Sequence, residues 1–184
     1  SVGGDFYWVG NCGNKIGFAA ADCTGHGVPG GFMSMLGISM INDMITRESV
    51  HTPASILSSL RENIINALGQ KGREEDSYDG MDIALCTYDK NTQILTYAGA
   101  NLPILIGTYS KVEPTDKIAV HFDGLVELKP DRMPVSYFER MDAFHEVQYK
   151  LAPGDTIYMF SDGFMDQFGG EMSKKFGHTA FRSL

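Results

Sequence analysis

Apolar and polar positions change their period along this chain, from strand to helix and back to strand. Residues 14–21 (NKIGFAAA) are a short, mostly apolar run that ends at Asp22 and predicts a buried strand. A glycine-dense turn, Gly25 to Gly27, follows, and Pro29 suits the first turn of a helix. That helix, over 29–46, sets Phe32, Leu36, Met40 and Met44 four apart, with Met33 and Ile41 beside them, and so predicts a core-facing stripe. Gly30, Gly31 and Gly37 soften it, and alanine at 37 is expected to stiffen it if the position has room. A second helix is better marked. Thr52 caps it, Pro53 takes its first position, Ile56, Leu60, Ile64 and Leu68 recur at helical spacing, and Gly69 stops it.

Residues 70–80 are charged and glycine-bearing, and predict a mobile loop. Beyond them the pattern is that of strands. Residues 82–88, 93–98, 103–108, 118–122, 144–151 and 156–160 are short, rich in β-branched and aromatic residues, and separated by turn signals. One strand, two helices and then a run of strands predicts an α+β domain with mainly antiparallel sheet. With no repeat, low-complexity tract or long linker, residues 1–184 read as one domain. Its abrupt opening at Ser1, inside what reads as a motif, suggests a domain cut from a larger protein.

Charge narrows the function. The 23 acidic residues outnumber the 15 basic ones, giving a net charge of −8, which argues against nucleic acid held through its phosphates. Three cysteines, Cys12, Cys23 and Cys86, are too few and scattered for a disulfide framework, and fit a reducing, cytoplasmic setting. The longest apolar stretch, Val28 to Ile45, is broken by glycines, Asn42 and Asp43, so it is no membrane span, and no secretion signal is visible.

Three aspartates carry the candidate chemistry. Asp5 sits in GGDFYW between two glycines and an apolar run, Asp22 ends the first strand in ADCTGHG, and Asp162 ends the last in TIYMFSDG. A carboxylate at the end of an apolar strand projects past the sheet rim, and such a charge is costly to desolvate without a partner. No Arg or Lys lies close in sequence to any of the three. The partner they point to is a cation, and an oxygen-only set suits Mg²⁺ or Mn²⁺. The plainer alternative is that each is a turn former or cap. Asp166, four residues past Asp162, is either a further ligand or a solvated carboxylate. His26, between Gly25 and Gly27, is either an exposed turn residue or a group that polarises phosphate. No Gly-x-Ser-x-Gly elbow and no Gly-x₄-Gly-Lys-Ser/Thr loop is present.

GGDFYW, ADCTGHGVPGGFM, DGMDIALC, YAGANLPILI and MFSDGFMDQFGG, in this order and spacing, resemble the bacterial, stage II sporulation protein E-like branch of the metal-dependent (PPM) protein phosphatases. The resemblance implies two antiparallel sheets packed as a sandwich, flanked by helices, with two metal ions at one edge. It implies that Asp22 bridges both ions, that Asp5 and the backbone carbonyl of Cys23 serve the first, and that Asp162 serves the second. It further implies a water activated by the paired ions that attacks a phosphoserine or phosphothreonine, with no phosphoenzyme. The implied partners are a phosphoprotein, of the anti-anti-sigma-factor kind, and an upstream sensor domain, with a homodimer as a further expectation.

Two departures from the family pattern stand out. Trp8 occupies a place where many relatives carry a second Asp. No residue after Asp166 matches the family's final Asp, so the chain is expected to lack its last segment and to hold the second ion weakly. Asp79 or Asp82 is a candidate for an accessory third ion. Two other readings remain: a phosphatase fold that binds a partner without catalysis, and a cyclic-dinucleotide synthase, because GGDF approaches the GGDEF loop. Against the latter, Phe6 stands where the second acid is needed.

Overall fold

The computed structural model describes residues 3–47, 52–73, 78–122, 124–163, 168–169 and 174–175. Two antiparallel sheets hold the core. The first joins β1 (Phe6–Cys12), β2 (Lys15–Cys23), β3 (Met81–Asp89), β4 (Ile94–Ala100) and β8 (Val147–Lys150), in that order across the sheet. The second orders β6 (Ile118–Phe122), β7 (Leu125–Leu128), β5 (Ile104–Gly107) and β9 (Thr156–Tyr158). A small hairpin pairs β10 (Phe168–Gly169) with β11 (Lys174–Lys175). Helices α1 (Val28–Arg47) and α2 (Pro53–Leu68) lie together against the first sheet. This is the expected α+β sandwich, with both helices on one side of it.

Period-two patterning assigns the layers. In β3, Ile83 and Leu85 face the helices while Ala84 and Cys86 face the second sheet, so the strand is buried on both faces and reads as nearly continuous apolar sequence. In β4, Ala98 and Ala100 lie on the helix side, and Leu95 and Tyr97 fill the space between the sheets. Apolar burial on both sides of this central pair supplies most of the driving force for the fold.

α2 forms as its local signals require. The Thr52 hydroxyl accepts from the Ser55 amide, Ser55 Oγ accepts from the Thr52 amide, and Gly69 ends the helix in the left-handed region at φ 64°. α1 differs from its expectation in one respect. Its buried line runs through Gly30, Met33, Gly37 and Ile41, and Phe32 is 68% exposed, so Phe32 leaves the predicted stripe. Gly37 explains the choice of face. A Cβ there would come within 2.8 Å of Met81 Cε and 3.1 Å of the Phe6 ring, so its bareness seats α1 on β1 and β3.

The expected stiffening by alanine therefore has no room. Gly37→Ala is expected to lower stability by about 1–2 kcal/mol, because crowding of Phe6 and Met81 outweighs the gain in helix propensity. Urea denaturation of the variant checks this, and a higher midpoint than wild type would contradict it.

Candidate active site

The strand register brings the acidic residues to one rim. β1 pairs with β2 from Phe6↔Ala21, so Asp5 stands just beyond the last pair, level with Asp22. Asp22 in turn pairs with Asp82 across β2 and β3. Three carboxylates thus occupy neighbouring strands at one level. The strand expected to end at Asp22 continues one residue further to Cys23, and the Gly25–Gly27 turn follows, with φ 90° and 68° at its two glycines. On the other sheet, β9 ends at Tyr158 rather than at 160, and the chain runs on irregularly through Ser161 to Asp162. Asp162 and Asp22 line the same cleft, about 540 Å³ in volume, with Thr24, His26, Tyr78, Gly80, Asp82, Pro134 and Ser136 among its other walls.

Two close backbone contacts fix Asp5. Gly4 lies so near β2 that a Cβ on it would stand 2.3 Å from the Cys23 carbonyl oxygen, and the Gly4 carbonyl accepts from Ser34 Oγ at 2.6 Å. Ser161 Oγ donates to Asp5 Oδ2 at 2.7 Å, tying the two sheets together at the rim. Asn101, at φ 58°, donates through Nδ2 to Asp82 Oδ1 at 2.9 Å.

Asp22 sits between Asp5 and Asp162, and its carboxyl is pushed up from the ordinary 3.8 to about 7. Burial is the largest cause, followed by the shared hydrogen bonds and negative charge of Asp162 and Asp5. Burial also pushes Asp82 up, against the opposing pull of Asn101. The Cys23 thiol, pushed up to about 11 by burial, stays protonated, so what Cys23 can offer a cation is its backbone carbonyl. Among the described residues, no three His, Cys, Asp or Glu side chains are placed to hold a metal ion between them. The carboxylates approach in pairs instead, Asp5 with Asp22 and Asp22 with Asp162. An all-oxygen arrangement of crowded acids has the donor chemistry that hard divalent cations take.

Several expectations are placed by this geometry. His26 is an exposed turn residue that also lines the cleft. Asp79 is half-buried and hands its carbonyl to Gln70, while Asp82 lines the cleft itself. Trp8 is 6% exposed and its indole N–H donates to Asn42 Oδ1 on α1 at 2.8 Å, so the residue that departs from the family pattern makes a core contact. A Cβ on Gly10 would stand 2.3 Å from that indole, so the glycine makes its space. Asp166 lies outside the described residues. Sequence reasoning did not single out Ser161, Ser34, Tyr78, Pro134 or Ser136. Of these, only Ser161 carried a signal, its position next to Asp162.

A pH test follows from the crowding. The folded carboxyl of Asp22 holds its proton where the unfolded chain has lost it, so this contribution to stability is fully present below about 3.8 and is lost as pH rises through about 7. In chelator, thermal unfolding is expected to occur at lower temperature as pH climbs through that window, and Asp22→Asn is expected to flatten the trend. An unaltered pH dependence in Asp22→Asn would contradict it.

The chain matches the Stage II sporulation protein E (SpoIIE) family over residues 13–183. It is similar to the SiaA-PP2C domain of Pseudomonas aeruginosa, at 29% identity and a TM-score of 0.79, over 99% of this chain and 65% of that one. The structure of the PP2C phosphatase domain and a regulatory fragment of SpoIIE from Bacillus subtilis is similar at 19% identity and a TM-score of 0.66, over 90% of this chain and 42% of that one. RsbX, solved in complex with magnesium, is similar in fold at 13% identity and a TM-score of 0.64, over 89% of this chain and 68% of that one. The chain thus spans less than two thirds of the first two structures. A comparison with curated proteins gives no match. Among the described residues, no helix is long and apolar enough to cross a membrane. The two-sheet fold agrees with the family match: the chain belongs to the SpoIIE family, within the PP2C-type phosphatase fold.

Proposed function

We propose that this domain hydrolyses phosphoserine or phosphothreonine on a regulatory protein, with Mn²⁺ or Mg²⁺ held by its acidic rim. The observation that carries this reading is the position of Asp22, partly buried between Asp5 and Asp162 with its carboxyl pushed up to about 7. Carboxylates brought together in a cleft, against their mutual repulsion, are what a cation site requires before it is filled. In this reading Asp5, Asp22 and the Cys23 carbonyl hold one ion, Asp22 and Asp162 hold the other, and Asp166 is a further ligand. Such paired ions supply an activated water and neutralise the phosphoryl oxygens.

The chain's own groups do the rest. Ser161 holds one Asp5 oxygen in place, and Asn101 does the same for Asp82, the candidate for an accessory ion. Among the described residues, the thiol and two of the hydroxyls of the cleft have other roles. Cys23 is kept protonated, Ser136 donates to the Tyr137 carbonyl, and Thr24 Oγ1 accepts from the Gly80 amide. In this reading water attacks phosphorus and no phosphoenzyme forms. His26 on the wall is available to polarise the phosphate.

The substrate in this reading is a small regulatory phosphoprotein of the anti-anti-sigma-factor kind, and a sensor domain and a second copy of the chain are further proposed partners. A second reading, a phosphatase-fold module that binds a partner without turnover, draws support from the absence of a three-residue ligand cluster among the described residues. Turnover decides between them. Asp22→Asn is expected to cut Mn²⁺-dependent hydrolysis of p-nitrophenyl phosphate by at least ~10²-fold while the fold persists. Near-normal turnover in the folded variant would remove the role given to Asp22, and no turnover in wild type would favour the binding module.

A further inference from the structure

The outer wall of the cleft is built from two stretches far apart in sequence, and the backbone ladder joins them at one point. Met81 and Val135 exchange backbone hydrogen bonds of 3.3 and 2.9 Å. Next to that bridge the stretches press together. A Cβ on Gly80 would stand 2.5 Å from Ser136 Cβ and 2.7 Å from the Val135 carbonyl oxygen. One step further out, a side chain takes the place of the next rung. Gln70 Nε2 donates to the Asp79 carbonyl at 2.6 Å, and Gln70 Oε1 accepts from the Tyr137 amide at 2.9 Å. A carboxamide carries the same donor and acceptor pair as a peptide group, so it can bridge two backbones that have diverged beyond direct contact. Its orientation is forced, because reversal would set oxygen against oxygen and N–H against N–H.

Gln70 lies outside the acidic rim. It follows the left-handed cap of α2, is 6% exposed, and is absent from the cleft lining. Just past it, Gly72 at φ 74° runs so close to the Tyr137 ring that a Cβ would stand 2.3 Å from it. The end of α2 therefore grips both stretches at once, and the faces they turn to the cleft are Tyr78, Gly80, Pro134 and Ser136. The residues 70–80, expected as a mobile loop, are at Gln70 and Asp79 part of a buried polar joint.

We propose that Gln70 is a positioning residue for substrate selection. It sets the spacing of the Tyr78–Gly80 and Pro134–Ser136 faces, and this wall selects phosphoproteins by the chain that flanks the phosphorylated residue. The proposal rests on the phosphatase reading above. Loss of the amide removes the group that joins the Asp79 carbonyl to the Tyr137 N–H in a part-buried place, so the two faces are free to move apart. A ligand that fills only the rim does not sense that spacing, whereas a peptide lying along the wall does.

The test compares two probes in wild type, Gln70→Ala and Gln70→Glu with Mn²⁺ present: p-nitrophenyl phosphate and a phosphothreonine peptide. In Gln70→Ala, kcat/KM for the peptide is expected to fall about tenfold relative to the small phosphate, with the loss in KM. Gln70→Glu keeps an acceptor for Tyr137 but sets an oxygen against the Asp79 carbonyl. With that repulsion it is expected to split the probes in the same direction, while hydrogen exchange should find Tyr137 N–H deprotected in the alanine variant alone. Equal losses on both probes, or a deprotected Tyr137 with an unchanged peptide KM, would overturn the proposal. Should wild type turn over neither probe, the phosphatase reading fails by itself. Equilibrium binding of the peptide then decides, with weaker binding by Gln70→Ala expected and unchanged binding overturning the proposal.

Discussion

Burial of a carboxyl among other carboxyls is the constraint around which this domain is arranged. Asp22 is partly buried between Asp5 and Asp162, and its carboxyl is raised first by that burial and then by its two acidic neighbours. Nothing in the core needs these acids together. The core is met by Ile83, Leu85, Ala84 and Tyr97 on the two faces of the central strands. The sheets instead serve as a rigid frame that delivers the three acids to one place, at the cost of folded-state stability when no cation is bound. A stability–function trade-off of this kind is common at active sites.

The frame does so by backbone contacts that leave little slack. Gly4 lets the Cys23 carbonyl approach the chain beside Asp5, Gly37 seats α1 on Phe6 and Met81, and Gly80 lets Val135 and Ser136 close against β3. Ser34 and Ser161 then hold the Asp5 segment from the helix side and from the second sheet. Groups pinned by packing and hydrogen bonds in this way keep a site's geometry within the tolerance that chemistry demands. α1 and the acids share these contacts, so the helix and the rim are mechanically one unit.

How much of this was legible in the sequence depended on the range of the interactions. α2 was readable to the residue because Thr52, Pro53 and Gly69 act locally. The acids were readable because Asp22 and Asp162 follow apolar runs and Asp5 opens one after two glycines, and the register that aligns Asp22 with Asp82 follows from strands whose positions were largely expected. β1, hidden behind the GGDFYW motif, and β7, only four residues long, were not expected as strands. Phe32 was placed in the core by its spacing, but tertiary packing at Gly37 chose the neighbouring face. The wall from Pro134 to Tyr137 had no local signal. It reaches the cleft through one bridge at Met81 and one side chain at Gln70, both contacts of long sequence separation.

The central claim is that the pairwise crowding of Asp5, Asp22 and Asp162 is a place made for divalent cations. Anomalous diffraction from Mn²⁺-soaked crystals tests it most directly. Manganese peaks are expected on both sides of the Asp22 carboxylate, one against Asp5 and the Cys23 carbonyl and one against Asp162. Manganese absent from Asp22, or bound only elsewhere on the chain, would contradict it.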